Sequence, residues 1–341
     1  MKEKISNLIQ ELEFAGQKLK NSNCLSKIIV KDDKVTFAID VGILGINSQE
    51  SEILVGKIKE EIGKICDFKV NAILTKNQSE TKVVAKKIAD HSVVKGVKKI
   101  IIVASGKGGV GKSTVAVNLA ISLKRIGHKI GLVDADIYGP SVEYLMNLKG
   151  KPENEEKLMI PINSYGVDCI SVGSLIDAGK AAIWRGPMIS KVLNQLINGV
   201  KWQDIDYLII DLPPGTGDIH LSLIQQFKPD GAVLVSTPQN LALIDVVKAA
   251  DMFETLKVPI IGVIENMSYL INENGDKNYI FGKGLIKKMA EDLKVNFLGD
   301  IFLDAKINQA NDDRNPICNS SPSDKISFEF GKIAENILDF I

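Results

Sequence analysis

At 341 residues the chain has room for one large α/β domain and a smaller companion, and its composition (45% hydrophobic, 25% charged) is that of an ordinary globular protein. Its 42 basic residues balance 42 acidic ones, so it lacks the cationic excess by which proteins grip nucleic acid without sequence preference. No apolar run approaches the roughly 20 residues of a membrane span, and the polar amphipathic N-terminus does not read as a signal peptide. The four cysteines (Cys24, Cys66, Cys169, Cys318) are scattered with no C-x-x-C, which suits reduced cytoplasmic thiols better than a disulfide framework.

Residues 1–75 read as a small α+β unit. Ile5, Leu8, Ile9 and Leu12 recur at helical spacing; residues 26–31 and 35–41 alternate as strands around an Asp32-Asp33-Lys34 turn. A second helix follows, with Asn47 and Glu50 spaced as a capping box, and residues 69–74 form a third strand. The order predicts a three-stranded sheet with two helices on one face. Residues 76–98 are Lys-rich but diluted by Val83, Val84, Ile88, Val93 and Val94, and read as a linker rather than an anionic-surface contact.

From residue 99 to 341 strands and helices alternate. Strands are predicted at 99–104, 129–134, 168–172, 206–211, 231–236, 259–264 and 296–299, with helices at 113–125, 187–198, 241–256 and 284–293. Several of these strands are continuous apolar runs, as in a parallel sheet covered on both faces, so the function belongs at their carboxyl ends. There the first strand runs into Ser105-Gly106-Lys107-Gly108-Gly109-Val110-Gly111-Lys112-Ser113-Thr114, followed by a helical pattern with Val115, Leu119, Ile121 and Leu123. This is G-x-x-x-x-G-K-[ST] in its strand–loop–helix context. Gly106, Gly108, Gly109 and Gly111 let backbone amides turn toward phosphate oxygens, and the helix dipole adds to the field. Lys112 is placed for the β and γ phosphates and Ser113 for Mg²⁺. The second strand ends in Asp134-Ala135-Asp136, where Asp136 can orient an attacking water. The strand at 206–211 ends in Asp211, a Walker-B-type carboxylate able to hold Mg²⁺ through water, and Leu212-Pro213-Pro214-Gly215-Thr216-Gly217-Asp218 after it has the composition of a nucleotide-sensing loop. Asn266 ends another strand and is read equally as a base-edge contact or a structural cap.

Lys107 within Lys-Gly-Gly-Val-Gly-Lys resembles the deviant phosphate loop of ParA/MinD-type ATPases. Within that class the chain resembles the Mrp/ApbC iron–sulfur cluster carriers over residues 95–341, through residues 134–141, Trp184-Arg185-Gly186-Pro187-Met188, Trp202 to Asp218, Thr237-Pro238-Gln239, Glu265-Asn266-Met267-Ser268 and Phe281-Gly282. The N-terminal unit resembles the MIP18-type domain. The resemblance implies a P-loop NTPase fold, with a mostly parallel sheet covered by helices on both faces beside a small α+β domain. It implies a homodimeric Mg-ATPase in which Lys107 crosses to the partner's phosphates. It also implies apo iron–sulfur proteins and assembly factors as partners, with neither nucleic acid nor membrane among them.

The same resemblance implies a [4Fe–4S] cluster bridging two subunits on a C-x-x-C pair shortly after Ser268. Here that stretch is Tyr269-Leu270-Ile271-Asn272-Glu273-Asn274-Gly275, without cysteine, and the N-terminal unit lacks the family's cysteine-containing turn near residues 40–47. Cluster ligands are therefore unassigned, since Asn and Gly cannot stand in for thiolates. Two rival readings follow: a surface-positioning ATPase, and a nucleotide-gated scaffold that has lost cluster binding. The first needs a basic or lipid-binding face. The C-terminal pattern Ile326, Phe328, Phe330, Ile333, Ile337 and Leu338 carries Asp324, Glu329, Glu335 and Asp339, and reads as a docked core helix instead.

Overall fold

The structure is a computed structural model that describes residues 2–14, 17–19, 29–31, 34–40, 44, 48–75, 93–175, 186–217, 220, 223–224 and 227–341. It divides into two compact units, residues 1–88 and 89–341. The linker lysines 76–87, Cys24, Asn47, Trp184, Arg185 and Asp218 lie outside the described residues.

In the first unit the longer elements are, in order, α1 (Lys2–Glu11), β1 (Ile29–Lys31), β2 (Lys34–Asp40), α2 (Ser48–Gly63) and β3 (Lys69–Thr75), with a two-residue strand pair, Glu13–Phe14 and Gln17–Lys18, after α1. β1 and β2 pair antiparallel, β2 and β3 parallel. Val35 and Ile39, on one side of β2, are fully buried with Ile5 and Ile9 of α1 and Leu54, Ile58 and Ile62 of α2. A period of two on the strand thus meets a period of 3.6 on both helices, as the sequence pattern requires.

The second unit is built on a nine-stranded sheet. Its strands are β4 (Val97–Ala104), β5 (Ile130–Asp134), β6 (Ile162–Ser164), β7 (Val167–Ser171), β8 (Ile205–Asp211), β9 (Gly231–Ser236), β10 (Ile260–Ile271), β11 (Lys277–Asn278) and β12 (Phe297–Leu303). Seven run parallel in the order β7-β5-β8-β4-β9-β10-β12; β6 and β11 add antiparallel edges. The helices are α3 (Lys112–Arg125), the single turn α4 (Val142–Leu145), α5 (Gly186–Asn198), α6 (Asn240–Thr255), α7 (Leu285–Leu293), α8 (Ala305–Asp312), the single turn α9 (Ile317–Ser320) and α10 (Lys325–Leu338).

Alternate residues of the central strands feed two cores. Ile101 and Val103 of β4 pack with α3 and α10; Ile100, Ile102 and Ala104 pack with α5, α6 and α7. This double coverage is why the strands read as unbroken apolar runs. α10 is docked as its pattern predicts: Ile326, Phe330, Ile333 and Ile337 are buried, whereas Phe328 faces outward. Among the described residues no helix is long and apolar enough to cross a membrane.

β10 runs seven residues beyond its predicted end and returns through β11 as a hairpin. Its turn holds residues 272–275. The Asn272 carbonyl accepts from Gly275 N at 2.9 Å, and its side chain accepts from Asp276 N at 2.7 Å. The hairpin was not visible to strand periodicity because β10 bends at Met267, whose φ is 55°.

Candidate nucleotide-binding and hydrolysis site

The carboxyl ends of β4, β5 and β8 lie level: Asp211 pairs with Val103 on one side and Asp134 on the other, and Ser171 of β7 pairs with Asp134. Parallel register alone therefore gathers three functional strand ends at one edge. The loop 105–111 leaves β4 there and enters α3 through Gly111, which has a left-handed φ of 81°. Glycine is required at two loop positions for reasons beyond the phosphate. A Cβ on Gly111 would run into the Asn266 side-chain amide, and one on Gly106 into the Asp245 backbone of α6. The loop is thus clamped from α6 and β10, with Asn266 Nδ2 donating to the Val110 carbonyl at 2.9 Å.

A cleft of about 470 Å³ lies over the loop, lined by Ser105, Lys107, Gly108, Gly109, Lys112, Ser113, Thr114, Asp136 and Pro214, among others. Lys112 is buried, with its Nζ 2.7 Å from Asp211 Oδ1 and 3.7 Å from Asp136 Oδ2. Ser113 Oγ donates to Asp211 Oδ2 at 2.6 Å. Asp136 accepts from Tyr138 N and Gly139 N through Oδ1, which leaves Oδ2 facing Lys112. Lys107, half-buried, donates from Nζ to Gln239 Oε1 at 3.3 Å.

Two carboxylates thus share one buried ammonium group, and a third, Asp134, is buried next to Asp211. Burial pushes the Asp211 carboxyl up from its ordinary pKa, while Lys112 and Ser113 pull it down. Asp134 is pushed up to about 7, first by burial and then by the Asp211 charge. It accepts from Ser171 Oγ at 3.0 Å, Val142 N at 3.1 Å and Asp136 N at 3.2 Å, which ties the 135–142 loop to the sheet. Ser113 and Asp211 together offer hard oxygen donors on a rigid edge, the chemistry that fits Mg²⁺ beside phosphate.

The predicted residues converge in this structure: Gly106 to Thr114, Asp136, Asp211 and Asn266 surround one loop. Asn266 faces the loop as well as a smaller cavity of about 190 Å³, lined by Met267, Phe302, Asp304, Ile307 and Asn311. Asn311 donates to Thr114 Oγ1 at 3.3 Å, and its Oδ1 is buried without a partner among the described residues. This second cavity was not visible in the sequence, because the wall that faces Gly111, Thr114, Asn266 and Met267 comes from β12 and α8, far along the chain and free of any motif. Gln239, in Thr237-Pro238-Gln239, has no role predicted from the sequence.

The cysteines of this unit do not form a thiolate site. Cys169, on β7, is buried in the core with its thiol pushed far up by burial, and Cys318 is buried with its thiol raised to about 11. Among the described residues no group of three or more His, Cys, Asp or Glu side chains is arranged to hold a metal ion.

A family described as the NUBPL iron-transfer P-loop NTPases, of the ParA group, matches residues 96–338. The chain belongs to that family. The iron-sulfur cluster carrier protein of Haemophilus influenzae is 45% identical over 257 residues, 74% of this chain and 69% of that protein. The mouse iron-sulfur cluster transfer protein NUBPL is 40% identical over 265 residues, 76% of this chain and 83% of that one. A nucleotide-binding protein from Archaeoglobus fulgidus, solved in complex with ADP, has a TM-score of 0.61 at 35% identity and covers 73% of this chain and 97% of its own. The cell-division ATPase MinD of Pyrococcus furiosus has a TM-score of 0.55 at 22% identity and shares the fold. The family match begins at residue 96, so the N-terminal unit stands outside it.

Proposed function

We propose that this chain binds Mg-ATP in the cleft over residues 105–114, hydrolyses it slowly as a homodimer, and uses the cycle to carry iron–sulfur clusters to apo-proteins. The observation that carries the nucleotide part is the convergence of Lys112, Ser113, Asp136 and Asp211 on one glycine-clamped loop. The cargo part is supported by family membership and by the relatives named as cluster carriers.

Residue by residue, the amides of the loop and the start of α3 receive the phosphates, and Lys112 turns from Asp211 to the β and γ oxygens. Ser113 and Asp211 would hold Mg²⁺, which when bound would supply positive charge beside the phosphates and Asp211. Asp136 orients the attacking water with Oδ2, the oxygen that faces Lys112, while Tyr138 N and Gly139 N fix its Oδ1. Lys107 leaves Gln239 and reaches the partner's phosphates. Asn266 and the cavity beside Asn311 take the base, an apolar slot with amide groups at one side. The N-terminal unit, MIP18-like by resemblance, recruits partners, and a cytoplasmic setting suits the unpaired thiols of Cys66, Cys169 and Cys318.

The buried thiols favour one variant of this reading, in which the ATPase unit gates cluster handling without holding the cluster through its own cysteines. The test is Mg-dependent ATP turnover by the full chain, then anaerobic incubation with iron, sulfide and a cluster-requiring apo-enzyme. Turnover is expected to fall at least about 100-fold in Lys112→Ala. Any cluster absorbance is expected to persist in Cys169→Ser and Cys318→Ser. Absence of both turnover and apo-enzyme activation overturns the proposal; activation without absorbance on the chain itself selects the gating variant.

A further inference from the structure

Two consecutive prolines follow Leu212, so positions 213 and 214 offer no backbone N–H by which the loop after Asp211 can be anchored. The flanking residues are tied: Leu212 N donates to the Val103 carbonyl at 3.1 Å and Gly215 N to the Ser105 carbonyl at 2.9 Å. Between these ties Pro213 is buried, and its only polar backbone group is its carbonyl. That carbonyl meets Nε2 of His220 at 2.9 Å. A carbonyl only accepts, so Nε2 carries the proton and Nδ1 the lone pair.

His220 is only 2% exposed, and its backbone N donates to the Gly217 carbonyl at 3.0 Å. Its Nδ1 is buried with no partner among the described residues. Burial holds the imidazole below its ordinary pKa; the Pro213 and Gly217 carbonyls and Asp136 pull it up, and Lys112 pushes it down. The neutral ring is therefore the working form. Pro214, next in the chain, lines the cleft beside Lys107 and Gly108.

We infer that His220 is a positioning residue for the nucleotide-responsive loop: its Nε2–H holds the Pro213 carbonyl and so sets Asp211 and Pro214 against the phosphate loop. The imidazole acts through Pro213 and touches neither phosphate nor the reacting water. The inference rests on the ATPase reading for its kinetic consequence and on geometry alone for the clamp.

The test compares His220→Leu, which removes the donor, with His220→Gln, whose amide reaches the same carbonyl. Turnover, affinity for a fluorescent ATP analogue and amide hydrogen exchange at Gly215 and Thr216 are measured on the full chain. His220→Leu is expected to lower kcat about tenfold, with KM and nucleotide affinity within about twofold, and to speed exchange at the two amides by a similar factor. His220→Gln is expected to restore both. The inference is overturned by a Leu variant with unchanged kcat and exchange, or by a Gln variant as impaired as Leu. If the wild-type chain turns over no ATP, the hydrolysis reading falls while the exchange comparison still decides the clamp. If His220→Leu does not fold, His220→Asn, too short to reach Pro213, replaces it with the same expectations.

Discussion

Two acidic side chains, Asp136 and Asp211, share one buried ammonium, Lys112, a third, Asp134, is buried beside Asp211, and one cation cannot compensate three buried anions. The arrangement relieves this by division of labour. Asp211 takes the lysine and the Ser113 hydroxyl, Asp136 stays at the cleft, and Asp134 holds a proton over much of the acid range. The folded pKa of Asp134, about 7, lies above its usual 3.8, so its contribution to stability is fully present below about pH 4 and is lost as pH rises through 7. Asp134→Asn removes that loss. Urea denaturation at pH 5 and pH 8 is expected to show the variant gaining on wild type by roughly 2–3 kcal/mol at the higher pH. An equal gap at both pH values contradicts the reading.

At the scale of elements, the phosphate loop owes its shape to neighbours that share no sequence continuity with it. α6 presses on Gly106 and β10 presents Asn266 to Val110, so the loop arrives at α3 already bent. α10 illustrates how an amphipathic pattern is resolved by packing. Phe330 is 1% exposed against α3 and β12, whereas Phe328, two residues earlier, is 57% exposed. Phe330→Ala is expected to cost about 3–5 kcal/mol by chemical denaturation, and Phe328→Ala less than about 0.5. Similar small effects from both would mean that the helix is not docked, which would revive a surface-binding role for it.

For the whole molecule, the proposed dimer has a defined starting point. Lys107 is parked on Gln239, and the adjoining α6 shows Leu241 and Ile244 to solvent, 72% and 57% exposed. With Asp136→Asn to slow hydrolysis, ATP is expected to double the mass seen by light scattering. Adding Lys107→Ala or Leu241→Asp is expected to keep the chain monomeric. A monomer under every condition would rule out sharing of sites between copies.

What the chain determined by itself was local. Residues 105–114 after an apolar strand, Asp136 and Asp211 at strand ends and the helical period of 326–338 are short-range patterns, and each found its predicted place. Even the missing cysteines at 272–275 were legible, because an absent residue type is visible without coordinates. Tertiary structure decided everything that depends on distant segments meeting. It gave Asn266 the Val110 carbonyl, built a second cavity from β12 and α8, buried Cys169 and Cys318 and laid His220 on Pro213. It also turned the stretch after Ser268 into a hairpin. Sequence periodicity reports which face a residue presents, whereas desolvation and hydrogen-bond partners are set by the element packed opposite, often a hundred residues or more away along the chain.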